Sequence, residues 1–203
     1  MTARSTGGCA FAEDPDRPAS AARLFWDAAI DPRVIVAEAC PTDRRDPQRF
    51  DPFSLPVPVT ILCGQGGEEL LLGHASRSVR ISIARGSVLD GPVRLAYRLS
   101  GTDALDLRLL ALRRLAALLV RDRLPAYLFE PHGQAARWTQ LVATLEALSS
   151  NPAHRAVATR LFGEETVEAE WDGRSDFLRS RLRRLVAQAR RLATGGHVPL
   201  LRR

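Results

Sequence analysis

The stretch VRLAYRLSGTDALDLRLLALRRLAALLVRDRL, residues 93–124, contains the change of pattern that decides the fold. Its first part alternates, as a half-buried antiparallel strand does, with apolar positions at Val93, Leu95, Tyr97 and Leu99. After Gly101 the apolar residues recur with a period of about 3.6, which predicts a helix that is buried on most sides and ends before Pro125. The chain is therefore expected to change from sheet to helix within these residues.

Upstream of this point the sequence predicts strands. The apolar or alternating segments are VIVAEA at 34–39, VTILC at 59–63, EELLLG at 68–73 and VRISIA at 79–84, and GQGG at 64–67 and DG at 90–91 supply turns. We expect a β-rich domain over 21–104, built on a small antiparallel sheet. Residues 1–20 are rich in Ser, Gly, Pro and Ala without periodicity, and they predict a flexible arm.

Downstream, the sequence predicts further helices and a helical DNA-binding domain over 105–203. AARWTQLVATLEALSS at 135–150 has helical spacing, and PAHRAVATRLF at 152–162 lies between a capping Asn151 and a terminating Gly163. A last helix opens at a capping Ser175. Three closely connected helices with a short middle member are the outline of a helix-turn-helix, although any three-helix bundle has the same outline. The predicted fold class is α+β, with an N-terminal antiparallel sheet followed by a C-terminal helical bundle containing a helix-turn-helix-like module.

Other functional classes find little support. The three cysteines form no C-x-x-C pair, and the four histidines are scattered, so we expect neither disulfides nor a metal site. The sequence has no phosphate-loop, nucleophile-elbow or zinc-protease motif, which predicts a protein that is not an enzyme and needs no cofactor. No long apolar run and no signal-like N-terminus is present, so we expect a cytoplasmic protein without membrane contact.

The positive charge is concentrated in the C-terminal half. Residues 1–104 have 12 arginines against 13 acids, whereas 105–203 have 17 arginines against 10 acids. Within the latter, residues 174–203 have nine arginines and a single acid, Asp176. This density of basic side chains is typical of a segment that binds polyanions.

The last predicted helix separates its apolar residues from its charges. At about 100° per residue, one arc contains Leu178, Leu182, Leu185, Ala189 and Leu192. The opposite arc is cationic, with Arg179, Arg183, Arg184, Arg190 and Arg191. A helix that is only kept soluble by charge normally interleaves Glu with Arg, and this one does not. The pattern predicts that the apolar face docks on the protein and that the other face binds an anionic partner.

If the partner is double-stranded DNA, helix position suggests a role for each side chain. Residues near the N-terminus of a recognition helix face base edges, which points to Arg179, Ser180 and Arg183. Arg174, Arg181, Arg184, Arg190 and Arg191 are expected to contact phosphates, and Arg155 and Arg160 on the preceding helix to flank the backbone. The predicted DNA-binding set is Arg155, Arg160, Arg174, Ser175, Arg179, Ser180, Arg181, Arg183, Arg184, Arg190 and Arg191.

Three alternatives remain open at this point. The arginines could pair within the protein with Glu164, Glu165, Glu168 and Glu170 just upstream. The helix could bind an acidic protein partner or a coiled-coil mate, as in an assembly factor. RNA could replace DNA, although exposed aromatic residues for base stacking are not evident.

Several segments together resemble the RovC-type DNA-binding domain family of bacterial transcription factors for type VI secretion, which has relatives that control mobile genetic elements. The segments are VAEACPTD (36–43), DGPVRLAYRLSG (90–101), LDLRLLALRRL (105–115), HRAVATRLFG (154–163) and SDFLRSRLRRLVAQARRLATGG (175–196). The resemblance implies a transcription regulator, expected to be an activator, that binds promoter DNA through its C-terminal half as a homo-oligomer. The sheet would then serve oligomerisation or contact with RNA polymerase.

Overall fold

The fold is α+β, as predicted, and the described residues form a five-stranded sheet followed by five α-helices. The structure is a computed structural model that describes residues 23–64, 66–74, 77–130, 133–171 and 176–202. The predicted flexible arm, 1–20, lies outside the described residues.

The sheet contains all five strands that the sequence predicted. They are β1 (Val34–Pro41), β2 (Val59–Gly64), β3 (Gly67–His74), β4 (Arg77–Arg85) and β5 (Val93–Arg98). Their order across the sheet is β2-β3-β4-β1-β5. One pair departs from the antiparallel arrangement, because β1 runs parallel to β4 while it pairs with β5 in the antiparallel sense. The sheet is therefore mostly antiparallel, with β1 inserted between two strands that follow it in the chain.

Helix α1 (Leu105–Arg121) covers one face of this sheet. Its inward residues Leu115 and Leu118 are 1% and 0% exposed, and they share one core with Ile81 and Ile83 of β4. Burying a leucine side chain fully stabilises a fold by about 1.5 to 3 kcal/mol. The periodic leucines of α1 therefore account for much of the cohesion of this part of the chain.

The segment between β1 and β2 is held to the edge strand by Asp46. One carboxylate oxygen of Asp46 accepts hydrogen bonds from Thr42 Oγ1 at 2.6 Å and from Arg94 Nε of β5 at 2.5 Å. The other oxygen accepts from the Gln48 amide at 2.9 Å. These donors, Arg94 above all, hold the pKa of Asp46 well below its usual range.

Four α-helices follow among the described residues of the C-terminal part of the chain. They are α2 (Ala135–Ser150), α3 (His154–Phe162), α4 (Glu164–Glu170) and α5 (Phe177–Arg191). The predicted three-helix outline has α3 and α5 as consecutive helices. In the structure they are not consecutive, because α4 lies between them in the chain. A short π-helical turn, Leu192–Gly196, and a 3-10 turn, Val198–Arg202, complete the described chain.

The chain forms two compact units, here named the sheet unit and the helical unit. The sheet unit comprises Met1–Glu130 with Val198–Arg203, and the helical unit comprises Pro131–His197. Helix α1 belongs to the sheet unit because it shares the core of the sheet. The C-terminal turn returns to the sheet unit, where Arg202 donates hydrogen bonds to Asp103 and to the carbonyl of Ala29.

Candidate nucleic-acid interface

The apolar side of α5 is docked in the core of the helical unit. Leu178, Leu182, Val186 and Ala189 are each at most 4% exposed. These four residues follow one another at spacings of four, four and three, which places them on one stripe of the helix. The sequence predicted this docking face in outline, but it assigned Leu185 where the structure buries Val186, and Leu185 is half-buried at the flank.

The core beneath α5 is made by the three other helices of the unit. Its buried members include Ala147 of α2, Val157 and Ala158 of α3, and Val167 of α4. Small side chains at two of these positions allow the helices to approach closely. A polar contact adds to the docking, since Arg137 of α2 donates to Gln188 Oε1 at 2.8 Å. The orientation of α5 is thus fixed from one side.

The remaining surface of α5 is cationic and open to solvent. Five of its six arginines are exposed, and Arg179 is half-buried. The exposed five are Arg181, Arg183, Arg184, Arg190 and Arg191. Arg190 and Arg191 lie in the last helical turn, where positive charge also interacts favourably with the helix dipole. The predicted separation of a docked face from a basic face is therefore present in the structure.

The two predicted base-reading arginines share one carboxylate. Arg179 Nε donates to Asp176 Oδ1 at 2.6 Å, and Arg183 Nη2 donates to Asp176 Oδ2 at 2.5 Å. Ser180, predicted to accompany them, donates its hydroxyl to the same Oδ2 at 3.1 Å. These donors, with Arg179 first, lower the pKa of Asp176 below its ordinary value, so the group is ionised at neutral pH.

Arg181 has a different environment from the other arginines of α5. Its guanidinium lies over the ring of Phe162, 4.8 Å from the centroid, at the end of α3. Such a cation–π contact holds the side chain against the protein surface. Arg181 is thus oriented toward α3, on a different line of the helix from Arg179 and Arg183.

The predicted flanking residues are exposed on α3. Arg155 lies in the first turn of this helix, and Arg160 lies near its end, where its Nη1 donates to Ser150 Oγ at 3.2 Å. The remaining two members of the predicted set, Arg174 and Ser175, lie outside the described residues. The structure therefore places seven residues of the predicted set on α5, namely its six arginines and Ser180. Two more, Arg155 and Arg160, lie on α3.

Pairing of the α5 arginines with the upstream glutamates is not found. Within the described residues, the ion pairs of α5 go to Asp176, and none joins an α5 arginine to Glu164, Glu165, Glu168 or Glu170. Those glutamates lie on α4 and are themselves exposed. Among the described residues, the ion pairs of the basic face are thus those of Arg179 and Arg183 with Asp176.

The structure also bears on the metal and membrane predictions. In the part of the chain that it describes, no three His, Cys, Asp or Glu side chains come close enough to hold a metal ion. No helix among those residues is both long and apolar enough to cross a bilayer. Cys40 and Cys63 are free and exposed thiols.

Comparison with protein families now identifies the chain. Residues 98–202 match the RovC DNA-binding domain model, which is described as "T6SS, Transcription factor, DNA binding domain". The chain belongs to the RovC DNA-binding domain family. The resemblance inferred from the sequence is thereby confirmed, and the protein is a member of a family of DNA-binding transcription factors. No curated protein shows significant similarity to the chain.

The region matched by the RovC domain model spans both compact units. It begins at Arg98, the last residue of β5, includes α1, and continues through the helical unit to Arg202 of the C-terminal turn. The basic face of α5 lies near the C-terminal end of this region. Four strands of the sheet and all but the last residue of the fifth precede it.

Two features of the RovC domain surface were missed from the sequence. Asp176 was treated only as a lone acid, whereas it is the centre of the hydrogen-bonded group on α5. Phe162 was predicted only as the last residue of a helix, whereas its ring also contacts the guanidinium of Arg181. The spacing of Asp176, Arg179 and Arg183 at i, i+3 and i+7 is a signal that could have indicated the first.

Proposed function

We propose that the helical unit binds double-stranded DNA through the basic face of α5, with α5 as the recognition helix of a transcription regulator. The observation that carries the proposal is a basic face, formed by five exposed arginines and the half-buried Arg179, on a helix whose other face is buried in the core. Such a face attracts the phosphate backbone, and a docked helix presents it in a fixed orientation. Membership in the RovC DNA-binding domain family supports the same conclusion.

Within this proposal the side chains divide by position along α5. Arg179, Ser180 and Arg183 lie in the first two turns and are proposed to contact base edges, where arginine binds guanine O6 and N7 in a bidentate manner. Arg184, Arg190 and Arg191 contact phosphates and set the affinity. Arg181, held by Phe162, contacts the backbone at the edge of the site.

Residues of α3 and residues just before α5 complete the proposed interface. Arg155 and Arg160 flank the DNA backbone from α3, and Arg174 and Ser175 contribute at the N-terminal end of α5. A helix-turn-helix-like docking of this end in the major groove is part of the proposal. The intervening α4 makes the connection longer than in the simplest modules of that kind.

The regulatory context is also proposed. The protein acts as an activator at promoters, as a homo-oligomer, with the sheet unit serving oligomerisation or contact with RNA polymerase. Both outer strands of the sheet, β2 and β5, have exposed positions. Edge strands of this kind are common sites of strand pairing between protein chains.

A second candidate is an assembly factor whose basic helix binds an acidic protein. It is favoured by the engagement of Arg179 and Arg183 within the protein. Both ion pairs are exposed, however, and exposed pairs contribute little to stability, so this engagement does not by itself favour a protein partner. Competition between a DNA duplex and polyglutamate for the same protein distinguishes the two candidates, since only the first predicts a strong preference for the duplex.

The proposal is tested by fluorescence anisotropy with a labelled random-sequence duplex over a series of salt concentrations. Each phosphate contact contributes about 0.9 to the slope of log affinity against log salt. The six arginines assigned to the backbone in these two helices, four on α5 and two on α3, therefore give a slope of about −5. Arg184→Ala, Arg190→Ala and Arg191→Ala are each expected to reduce the slope by about 1.

The matched control is Arg85→Ala, which removes an exposed arginine from the end of β4 in the sheet unit. It is expected to leave both affinity and slope unchanged. If the unmodified protein bound no duplex even near about 50 mM salt, where phosphate contacts are strong, the proposed function would be refuted. Equal losses in Arg85→Ala and Arg191→Ala would refute the assignment to α5.

A further inference from the structure

The acid that precedes α5 is joined to three side chains of its first two turns. Asp176 accepts Arg179 Nε through one oxygen, and it accepts Arg183 Nη2 and the Ser180 hydroxyl through the other. Arg183 Nη2 also donates to Ser180 Oγ at 3.1 Å, which closes the group. Four side chains at i, i+3, i+4 and i+7 thus form one network along a single line of the helix.

This network leaves part of each guanidinium open. Arg179 donates its Nε to Asp176, and its two terminal nitrogens remain as a planar fork that makes no hydrogen bond to this carboxylate. That fork is the part of arginine that matches a pair of acceptors such as guanine O6 and N7. Arg183 uses Nη2 and retains its other donors. A carboxylate that accepts hydrogen bonds from one edge of a guanidinium therefore restricts the orientation of its remaining N–H groups.

The position of Asp176 is otherwise unfavourable. It places a negative charge within the cationic face, where it weakens attraction to phosphates. It contributes little to folding, because both ion pairs are exposed, with side-chain exposures of 42% for Arg179 and 64% for Arg183. It also forms no side-chain cap at the start of α5. The helix dipole favours an acid at the N-terminus of α5, but it acts on any acid in the first turn and does not require contact with Arg179 and Arg183. Affinity for polyanions, the exposed ion pairs and a side-chain cap do not explain that contact either.

We propose that Asp176 is a positioning residue for sequence recognition, which holds Arg179 and Arg183 in orientations suited to base edges and repels misplaced phosphates. This inference rests on the proposed DNA-binding function. Arginine side chains have many rotamers, and fixing two of them before binding reduces the entropy lost at the interface. The same charge lowers affinity for DNA in which no guanine is available to the open forks. Asp176 therefore lowers the affinity for DNA of any sequence and increases the discrimination between sequences.

The test compares Asp176→Ala with the unmodified protein on two duplexes, a site selected from random DNA and the same site with one guanine pair replaced. Affinities are measured at a single salt concentration. The variant is expected to bind the replaced site more tightly and to lose about tenfold in the ratio between the two sites. The matched control is Glu168→Ala, which removes an exposed acid from α4 of the same unit and is expected to leave the ratio unchanged.

A second readout addresses the geometry itself. In the free protein, the Arg179 Nε–H proton is expected to exchange slowly with water in nuclear magnetic resonance spectra, because Asp176 accepts it. Asp176→Ala is expected to increase this exchange while the melting temperature stays the same. Asp176→Asn retains an oxygen acceptor without the charge, and it is expected to recover part of the discrimination ratio.

The outcomes separate this inference from the function on which it rests. If the unmodified protein binds no DNA, the proposed function fails and the positioning role fails with it. If it binds DNA and Asp176→Ala raises affinity for both duplexes equally, DNA binding stands and Asp176 is only a competing charge. An unchanged ratio with unchanged affinities likewise overturns the positioning role alone.

Discussion

The substitution Leu182→Ala tests how the basic face is held in place. Leu182 lies in the middle of the docked stripe of α5 and is 1% exposed. It belongs to the core of the helical unit, together with Val157 and Ala158 of α3 and Val167 of α4. Truncation to alanine removes its contacts with that core and leaves a cavity beneath the centre of α5.

The expected cost follows from the burial of this side chain. Leucine-to-alanine changes in cores reduce the free energy of unfolding by about 2 to 5 kcal/mol, depending on how far the site collapses. We expect about 3 kcal/mol at Leu182, because three helices surround the site and limit its collapse. A loss of this size corresponds to a rise of about 100-fold in the population of the opened helical unit.

Amide hydrogen exchange measured by mass spectrometry locates this effect within the chain. Peptides from α3 and α5 are expected to exchange about 100-fold faster in Leu182→Ala, while peptides from β1, β3 and β4 keep their protection. The matched variant is Leu118→Ala, which makes the same chemical change at a residue that is 0% exposed in the core of the sheet unit. It is expected to produce the reverse pattern.

Two results would refute this reasoning. Equal acceleration in the strands and in α5 would mean that the two units open together, so that local docking does not govern α5. A change below about threefold in the α5 peptides would mean that the buried stripe contributes little to holding the basic face.

Three further predictions concern pH, backbone conformation and charge. The pKa of Asp46 is lower in the folded state than in the unfolded state, so ionised Asp46 stabilises the fold above the unfolded pKa of about 3.9. This contribution is lost as the pH falls through the folded-state pKa. The difference in unfolding free energy between the protein and Asp46→Asn, measured by urea unfolding, should therefore begin to close below about pH 4. Gly86→Ala should lower the melting temperature of the protein more than Gly163→Ala does. Both glycines have a positive φ, 82° at Gly86 and 86° at Gly163, but of the two only residue 86 would bring a new Cβ against a backbone carbonyl of β1. Equal decreases in melting temperature would contradict this steric argument. Replacing Arg184 and Arg191 together should reduce the salt slope of DNA binding by about 2 without changing the preference among sequences, and a changed preference would show that these residues contact bases.

Much of the fold could be predicted because the decisive patterns are local. Helix α2 was predicted at the residues where the structure has it, Ala135–Ser150, since apolar spacing and the following Asn151 both mark its extent. The start of α3 was predicted two residues early. The side chain of Asn151 accepts the amide of Ala153 in a local turn, and regular helix follows only from His154.

The features that were not predicted depend on distant or weak signals. Alternation of apolar residues indicates a strand but not the direction of its neighbour, so it could not predict the parallel pairing of β1 with β4. Helix α4 has one buried residue, Val167, and a single apolar position is too weak a signal to predict the extent of a helix. The choice of Val186 over Leu185 in the docking face depends on which side chains the other helices present.

The candidate site shows the same division between local and distant signals. The basic face of α5 follows from the helical wheel, and the structure places its arginines accordingly. The network centred on Asp176 and the stacking of Arg181 on Phe162 depend on rotamers and on the approach of α3, which spacing alone does not specify.

The central claim, that the basic face of α5 binds DNA, is tested most directly by locating the bound duplex on the protein. Backbone amide and arginine Nε–H signals are recorded by nuclear magnetic resonance while an unlabelled duplex carrying a selected site is added. The claim predicts that the largest shifts occur in Phe177–Arg191, with smaller ones at Arg155 and Arg160 and none in β2 and β3. Shifts confined to the sheet unit, with the α5 signals unchanged at saturation, would contradict it.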